Sequence, residues 1–315
     1  MTMTLSDKAD FTRHMVRCLL GRCQHPTRGI DGMKLIHLLA GVMVETVLLF
    51  DESDRGLESL YAKLADQLAC EPLEGPLGDK ALPAPYLIDR DTEHGRAMAR
   101  RLFEDWHDCT HEFMDLTLFI LHQMVVAMED DGQPRAETFR LLIECTNRSL
   151  AYEIAAQELC DIVIDRKIGL EGWSMCESIS GLSAVAGRSL ALSRHGHNIP
   201  DDLDKVAFVM TQEAIRLGIP AGTDWRFGLA ANDLPTSAPY ELIAALEPLC
   251  RDLFVLIGLH GQVDQAVACA KAAGRMLALV SGGEQPEVEP VIAKPLAMAA
   301  MSDTYKTVCR EYATA

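Results

Sequence analysis

Residues 31–50 read DGMKLIHLLAGVMVETVLLF, and this stretch decides the fold class of the protein. Its Leu, Ala and Met residues favour a helix, and that helix would be apolar on nearly every side. A helix of this kind is enclosed by other helices. The apolar run 35–50 is shorter than the roughly 20 residues that span a bilayer, and His37 and Glu45 interrupt it. We therefore expect a central buried helix and no membrane span.

The composition of the whole chain supports the same fold class. Hydrophobic residues make up 49% of the 315 residues, but aromatic residues only 6%. Ala, Leu and Met fill the apolar positions, which favours helices over strands. No stretch shows the alternation of a strand. The sequence predicts an all-α protein, a multi-helix bundle of about nine or ten helices, and leaves an N-terminal helical subdomain open.

One irregular segment suggests how the chain is divided. Residues 71–91, EPLEGPLGDKALPAPYLIDRD, contain four prolines and two glycines, which exclude a regular element. We predict a linker or crossover here, between an N-terminal helical part, 1–70, and a main helical bundle, 92–281. A loop and a C-terminal helix, 282–315, complete the chain.

The charge and the cysteines limit the classes of partner and compartment. The formal net charge is −17, and no basic stripe of the kind that binds nucleic acid is present. The ten cysteines include no CxxC pair, which is typical of reduced thiols in a reducing compartment. We expect a cytoplasmic protein that binds a protein partner or self-associates, and that does not bind nucleic acid.

Residues 104–123, EDWHDCTHEFMDLTLFILHQ, raise the question of a metal site. The candidate ligands are Glu104, His107, His111 and Asp115. An ExxH pair occurs in di-iron bundles, but a bundle needs a second pair, and this chain has none. On one helix His107 and Asp115 lie about 12 Å apart along the axis, so a single ion reaches only two of these side chains. The preferred interpretation is a hydrated helix face, with zinc or iron as the minor alternative and no cofactor predicted.

A second candidate cluster lies in the predicted core. His122 follows a helical stretch that is apolar nearly all round, and a buried histidine needs a hydrogen-bond partner. His37 and Glu45 share one stripe of the other buried helix. These three residues are predicted to form a satisfied polar network, and the alternative is a pocket for a ligand or a metal.

Two aromatic residues in an irregular segment are candidates for partner binding. Trp225 and Phe227 lie in residues 219–238, where no regular element is predicted. Aromatic side chains on loops often anchor partners, although they also fold back onto the core. Together with the lack of a catalytic motif, they favour a non-enzymatic adaptor, regulatory or assembly protein that acts through protein–protein contacts. The alternative is a helical metal-dependent enzyme or small-ligand binder that uses the His37, Glu45 and His122 cluster.

Overall fold

The computed structural model describes most of the chain and confirms the all-α fold. The described residues are 5–25, 29–49, 56–69, 90–106, 110–168, 174–193, 200–221, 238–282, 288 and 290–314. They form eleven helices and one short antiparallel pair of two-residue strands, β1 (Gln24–His25) and β2 (Gly29–Ile30). Two hydrophobic cores, which share no residue, hold these helices in two compact units.

The first unit is built around the apolar stretch that opens the sequence. Its helices are α1 (Leu5–Cys23), α2 (Gly32–Leu49), α3 (Gly56–Leu68), α4 (Arg90–Trp106), α5 (Thr110–Asp130) and the beginning of α6 (Arg135–Ile168). By length and composition α2 could cross a membrane, yet 67% of it is buried inside the protein. Because α1, α4 and α5 pack against α2, it is the central helix of this unit.

The backbones of α2 and α4 touch at a pair of glycines. A Cβ atom at Gly41 would lie 2.0 Å from the carbonyl oxygen of Thr92, and one at Gly95 would lie 2.0 Å from that of Leu38. No side chain fits in such a gap, so each glycine permits the approach of the other helix. This contact fixes where α2 and α4 cross. It brings Glu45, one turn after Gly41, against Arg96 and Arg100, which follow Gly95 on α4.

The second unit is built around a helix of small residues. It contains the end of α6 and five further helices: α7 (Met175–Ser193), α8 (Pro200–Arg216), α9 (Pro239–Ile257), α10 (Gln262–Ser281) and α11 (Pro290–Thr314). Helix α7 packs against α8, α9, α10 and α11, and residues 177–187 are all buried. At Gly187 a Cβ atom would lie 2.2 Å from the carbonyl oxygen of Met301, so α11 approaches α7 closely.

The two units meet in sequence inside a helix. The boundary lies between Leu150 and Ala151 of α6, whereas the sequence predicts divisions at 71–91 and after 281. Of the predicted linker, only Arg90 and Asp91 belong to the described residues, and both lie in the first turn of α4. The prediction that 71–91 is a linker therefore stays a prediction.

Candidate functional site

Glu45 lies in the core of the first unit and is paired with two arginines. Its carboxylate accepts hydrogen bonds from Arg96 Nε at 3.0 Å and Arg100 Nε at 2.9 Å. Glu45 is 1% exposed, and burying such a charge is costly unless it is paired and hydrogen-bonded. Arg96 and Arg100 stand four residues apart on α4, so they reach the carboxylate from one face of that helix. The contact at Gly41 and Gly95 brings the three side chains together.

The two histidines of the predicted cluster have surroundings of their own. Burial lowers the pKa of His37 below 6.5, assisted by Arg148, while Asp91 and Asp31 oppose the shift. The neutral imidazole is therefore the favoured form of His37. His122 on α5 is partly exposed, and its Nδ1 lies 3.4 Å from the side-chain amide nitrogen of Gln123. All hydrogen bonds described for Glu45 come from arginines. The polar network of Glu45 with the two histidines, and the alternative of a ligand pocket there, stay predictions.

The candidate metal ligands are only partly described. Glu104 on α4 and Asp115 on α5 are exposed. His107 and the side chain of His111 lie outside the described residues. Among the residues that the structure describes, no group of three or more His, Cys, Asp or Glu side chains is placed to hold a metal ion. The metal site of residues 104–115 therefore stays a prediction from the sequence.

Trp225 and Phe227 also lie outside the described residues. They belong to the segment 222–237, which joins the end of α8 to the start of α9. Their assignment to partner binding stays a prediction from the sequence.

The second unit contains a buried ionic network that was not predicted from the sequence. Lys271 Nζ on α10 donates to Glu153 Oε1 on α6 at 2.8 Å and lies 3.8 Å from Glu213 Oε2 on α8. Arg275 Nε donates to Glu213 Oε1, and Arg216 Nε donates to Glu213 Oε2, both at 2.9 Å. Arg216 and Arg275 also donate to Glu153 Oε2, so each carboxylate is held by several cations, and the network joins three helices.

The electrostatics of this network stabilise its charged form. Burial of Glu213 and its neighbour Glu153 act to raise the pKa of Glu213, but Lys271 and Arg216 outweigh them and hold it below its usual value of 4.5. A carboxylate that stays ionised and fully paired is a weak acid–base catalyst at neutral pH. Removing one partner from such a network leaves a buried uncompensated charge, which costs about 3–5 kcal/mol. The network acts to fix α6, α8 and α10 relative to one another.

A spacing in the sequence could have revealed these residues. Lys271 and Arg275 are four residues apart in AVACAKAAGRMLAL, an Ala-rich stretch, 266–279, with no acidic residue. Two cations on one face of an otherwise apolar helix require carboxylates from a neighbouring helix. Which carboxylates meet them depends on the packing of α6 and α8, and that information is not local.

The described cysteines include several thiols whose environment disfavours the thiolate. Burial raises the pKa of Cys160 to about 12. A hydrogen bond with Cys250, together with complete burial, raises the pKa of Cys269 well above its usual value. Since the thiolate is the nucleophile, these core cysteines are poorly suited to covalent catalysis.

A groove of about 270 Å³ opens on the surface of the second unit. Residues from the first turns of α9 and the C-terminal half of α11 line it: Pro239, Tyr240, Ile243, Thr304, Thr307 and Val308. Tyr240 is 71% exposed, which is unusual for an aromatic side chain beside an apolar groove. The groove is smaller than the roughly 300–1,000 Å³ of pockets that enclose whole small-molecule ligands, so it suits a few side chains of a larger partner.

Charged side chains form the rim of this groove. Arg188 from α7 pairs with Glu247, with 3.1 Å between Arg188 Nε and Glu247 Oε1. Asp303 and Glu311 contribute two carboxylates from α11, and neither belongs to an ion pair within the described part of the chain.

Comparisons of the chain with protein-family models, curated proteins and solved structures found no match.

Proposed function

We propose that this protein is a non-enzymatic, cytoplasmic adaptor, regulatory or assembly protein that acts through protein–protein contacts. The groove between α9 and α11 is its binding surface. The observation that carries the proposal is the combination of an exposed aromatic residue, Tyr240, with an apolar floor and a polar rim. Protein interfaces have this composition, in which aromatic anchors dominate the binding energy and polar groups surround them.

The other clusters favour a structural role, which supports a non-enzymatic function. Glu45 is neutralised by Arg96 and Arg100, and the Glu153 and Glu213 carboxylates are neutralised by Lys271 and two arginines. A catalytic acid or base would need a shifted pKa at a site that a substrate can reach. Glu213, whose pKa is shifted, is instead fully buried among its partners.

Site-specific photocrosslinking in cells of the source organism tests the proposal. A photoreactive residue at Thr307, inside the groove, should capture a small set of proteins. The same residue at Lys306, which is exposed on the neighbouring side of α11, is the matched control and should not capture them. A captured protein is then purified and its affinity for the full chain is measured, because capture alone does not establish binding at the groove.

The change Tyr240→Ala should weaken that complex by at least about tenfold, or about 1.4 kcal/mol, because an exposed aromatic anchor is lost. The melting temperature should stay within about 2 °C of the unchanged protein, since surface substitutions rarely alter stability by more than about 0.5 kcal/mol. Equal affinity of both proteins for the partner would contradict the proposal, and so would equal crosslinking at positions 306 and 307.

A further inference from the structure

We infer that the groove binds a short segment of a partner protein in which a Lys or Arg side chain lies within four residues of an apolar side chain. This inference rests on the proposed function and identifies the chemistry of the partner. Two features of the second unit carry it, the apolar floor between α9 and α11 and the pair of carboxylates on its rim.

The carboxylates supply the preference for a basic residue. With Arg188 neutralised by Glu247, the charge of the rim comes from Asp303 and Glu311 and amounts to about −2 at neutral pH. A cation approaching the groove meets a site of opposite charge, and an anion is repelled. The net charge of −17 for the whole chain adds a long-range attraction for basic partners.

Basic residues on α11 itself restrict where that cation sits. Lys306 and Arg310 are exposed on the side of the helix next to Asp303, and they do not line the groove. Glu311 lies further round the helix, beside Thr307, at about 140° from Lys306 and about 100° from Arg310, whereas Asp303 lies about 60° and about 20° from them on a wheel of 100° per residue. The Glu311 end of the rim therefore offers the stronger site for a cation, and Asp303 is the secondary one.

The length of the groove limits the size of the segment. Asp303 and Glu311 are eight residues apart, which corresponds to about 12 Å along the helix axis. An extended chain rises about 3.3 Å per residue, so about four residues span this distance. Adjacent side chains of an extended segment point to opposite sides, whereas those two apart share a side. One apolar residue on the floor near Ile243 and one cation at the rim can therefore come from the same short segment.

Selection from a displayed library of random dodecapeptides on the immobilised full-length protein tests the inference. We expect the enriched peptides to contain Lys or Arg within four residues of Leu, Ile, Met or an aromatic residue. Synthetic copies of them should bind five- to tenfold more weakly to the double variant Asp303→Asn, Glu311→Gln. Raising the salt concentration from 50 to 500 mM should weaken their binding to the unchanged protein, because exposed charge pairs are screened.

The matched control is the double variant Asp204→Asn, Glu158→Gln. It removes the same charge from exposed positions on α8 and α6 of the second unit, outside the groove. Peptide affinity should be unchanged in this variant, which separates a local effect of the rim from an effect of net charge. Equal weakening in both double variants would overturn the inference.

Other outcomes distinguish the inference from the proposed function. Peptides whose affinity depends on Tyr240 but not on Asp303 and Glu311 would overturn the preference for a basic segment. The groove would still be a protein-binding site. Failure to enrich any peptide that depends on Tyr240 would overturn both. A stable dimer in sedimentation that dissociates with Tyr240→Ala would make a second copy of the chain the occupant, and it would also overturn the inference.

Discussion

Single buried charges define the protein at the scale of residues. Glu213 has no exposed surface, and yet it is surrounded by two arginines and a lysine that keep it ionised. Such a group contributes to stability only while it is charged, because a protonated carboxyl loses the attraction of three cations. The stability of the second unit should therefore depend on pH through this residue.

The pKa of Glu213 is lower in the folded protein than its usual value of 4.5, which represents the unfolded chain. Its contribution to the free energy of unfolding is then fully present above about pH 4.5 and is lost as the pH falls through the lower folded value. Urea unfolding from pH 7 to pH 3 should show this loss. The variant Glu213→Gln should be less stable at pH 7 and should lose less stability on acidification. Parallel pH profiles for the two proteins would contradict this assignment.

Helices that touch through glycine define the protein at the scale of elements. The change Gly41→Ala forces a methyl group against the carbonyl oxygen of Thr92, so α2 and α4 must move apart. Overpacking of this kind costs about 1–3 kcal/mol, and the shift also strains the pairing of Glu45 with Arg96. Thermal unfolding of Gly41→Ala should show a clear loss of stability.

Gly21 in α1 provides the matched control in the same unit. A Cβ atom there would meet nothing within 4 Å, so Gly21→Ala adds helix propensity without a clash. It should stabilise the protein by up to about 1 kcal/mol, the penalty that Gly carries relative to Ala in a helix. If both substitutions had the same sign of effect, the close contact of α2 and α4 would be contradicted.

The sequence was informative about elements and much less so about their pairing. The buried helix 31–50 and the small-residue helix around Gly181 could be recognised from local patterns, because burial on all sides requires apolar or small residues. The partners of Glu45 could not be recognised from local patterns. Arg96 and Arg100 lie in the polar stretch TEHGRAMARR, residues 92–101, which resembles a solvated face, and only the crossing at Gly95 turns them towards α2. The groove was missed for the same reason, since Tyr240 and Glu311 are 71 positions apart.

Two cores within one chain define the protein at the scale of the whole molecule. Their boundary inside α6 was not predicted, because residues 135–168 contain neither proline nor any other break in the helical pattern. Proline and glycine mark loops, and a compact unit can end where no loop exists. The irregular stretch 71–91 is the visible signal of a division, and its role as a linker stays a prediction.

Elemental analysis of the purified, untagged protein tests the alternative of a metal-dependent enzyme. We expect no stoichiometric zinc, iron or manganese, because the chain contains a single ExxH pair where a di-iron bundle needs two, and it has neither a CxxC nor an HExxH motif. The protein is prepared without chelator, because a chelator would remove a bound metal during purification. Metal at one equivalent per chain that disappears in the variant His111→Ala would contradict the non-enzymatic proposal.

The crossing of α2 and α4 also has a mechanical consequence. Sliding one helix along the other by a single turn, about 5.4 Å, would bring His37 or Glu45 to the point now occupied by Gly41. The same movement would pull Glu45 away from both guanidinium groups. The steric energy and the electrostatic energy of the contact therefore have their minimum at the same register. The two helices pack together stably in that register alone. An insertion or deletion of one residue between Gly41 and Glu45 would rotate one by about 100° relative to the other, so that α2 could keep only one of the two matches.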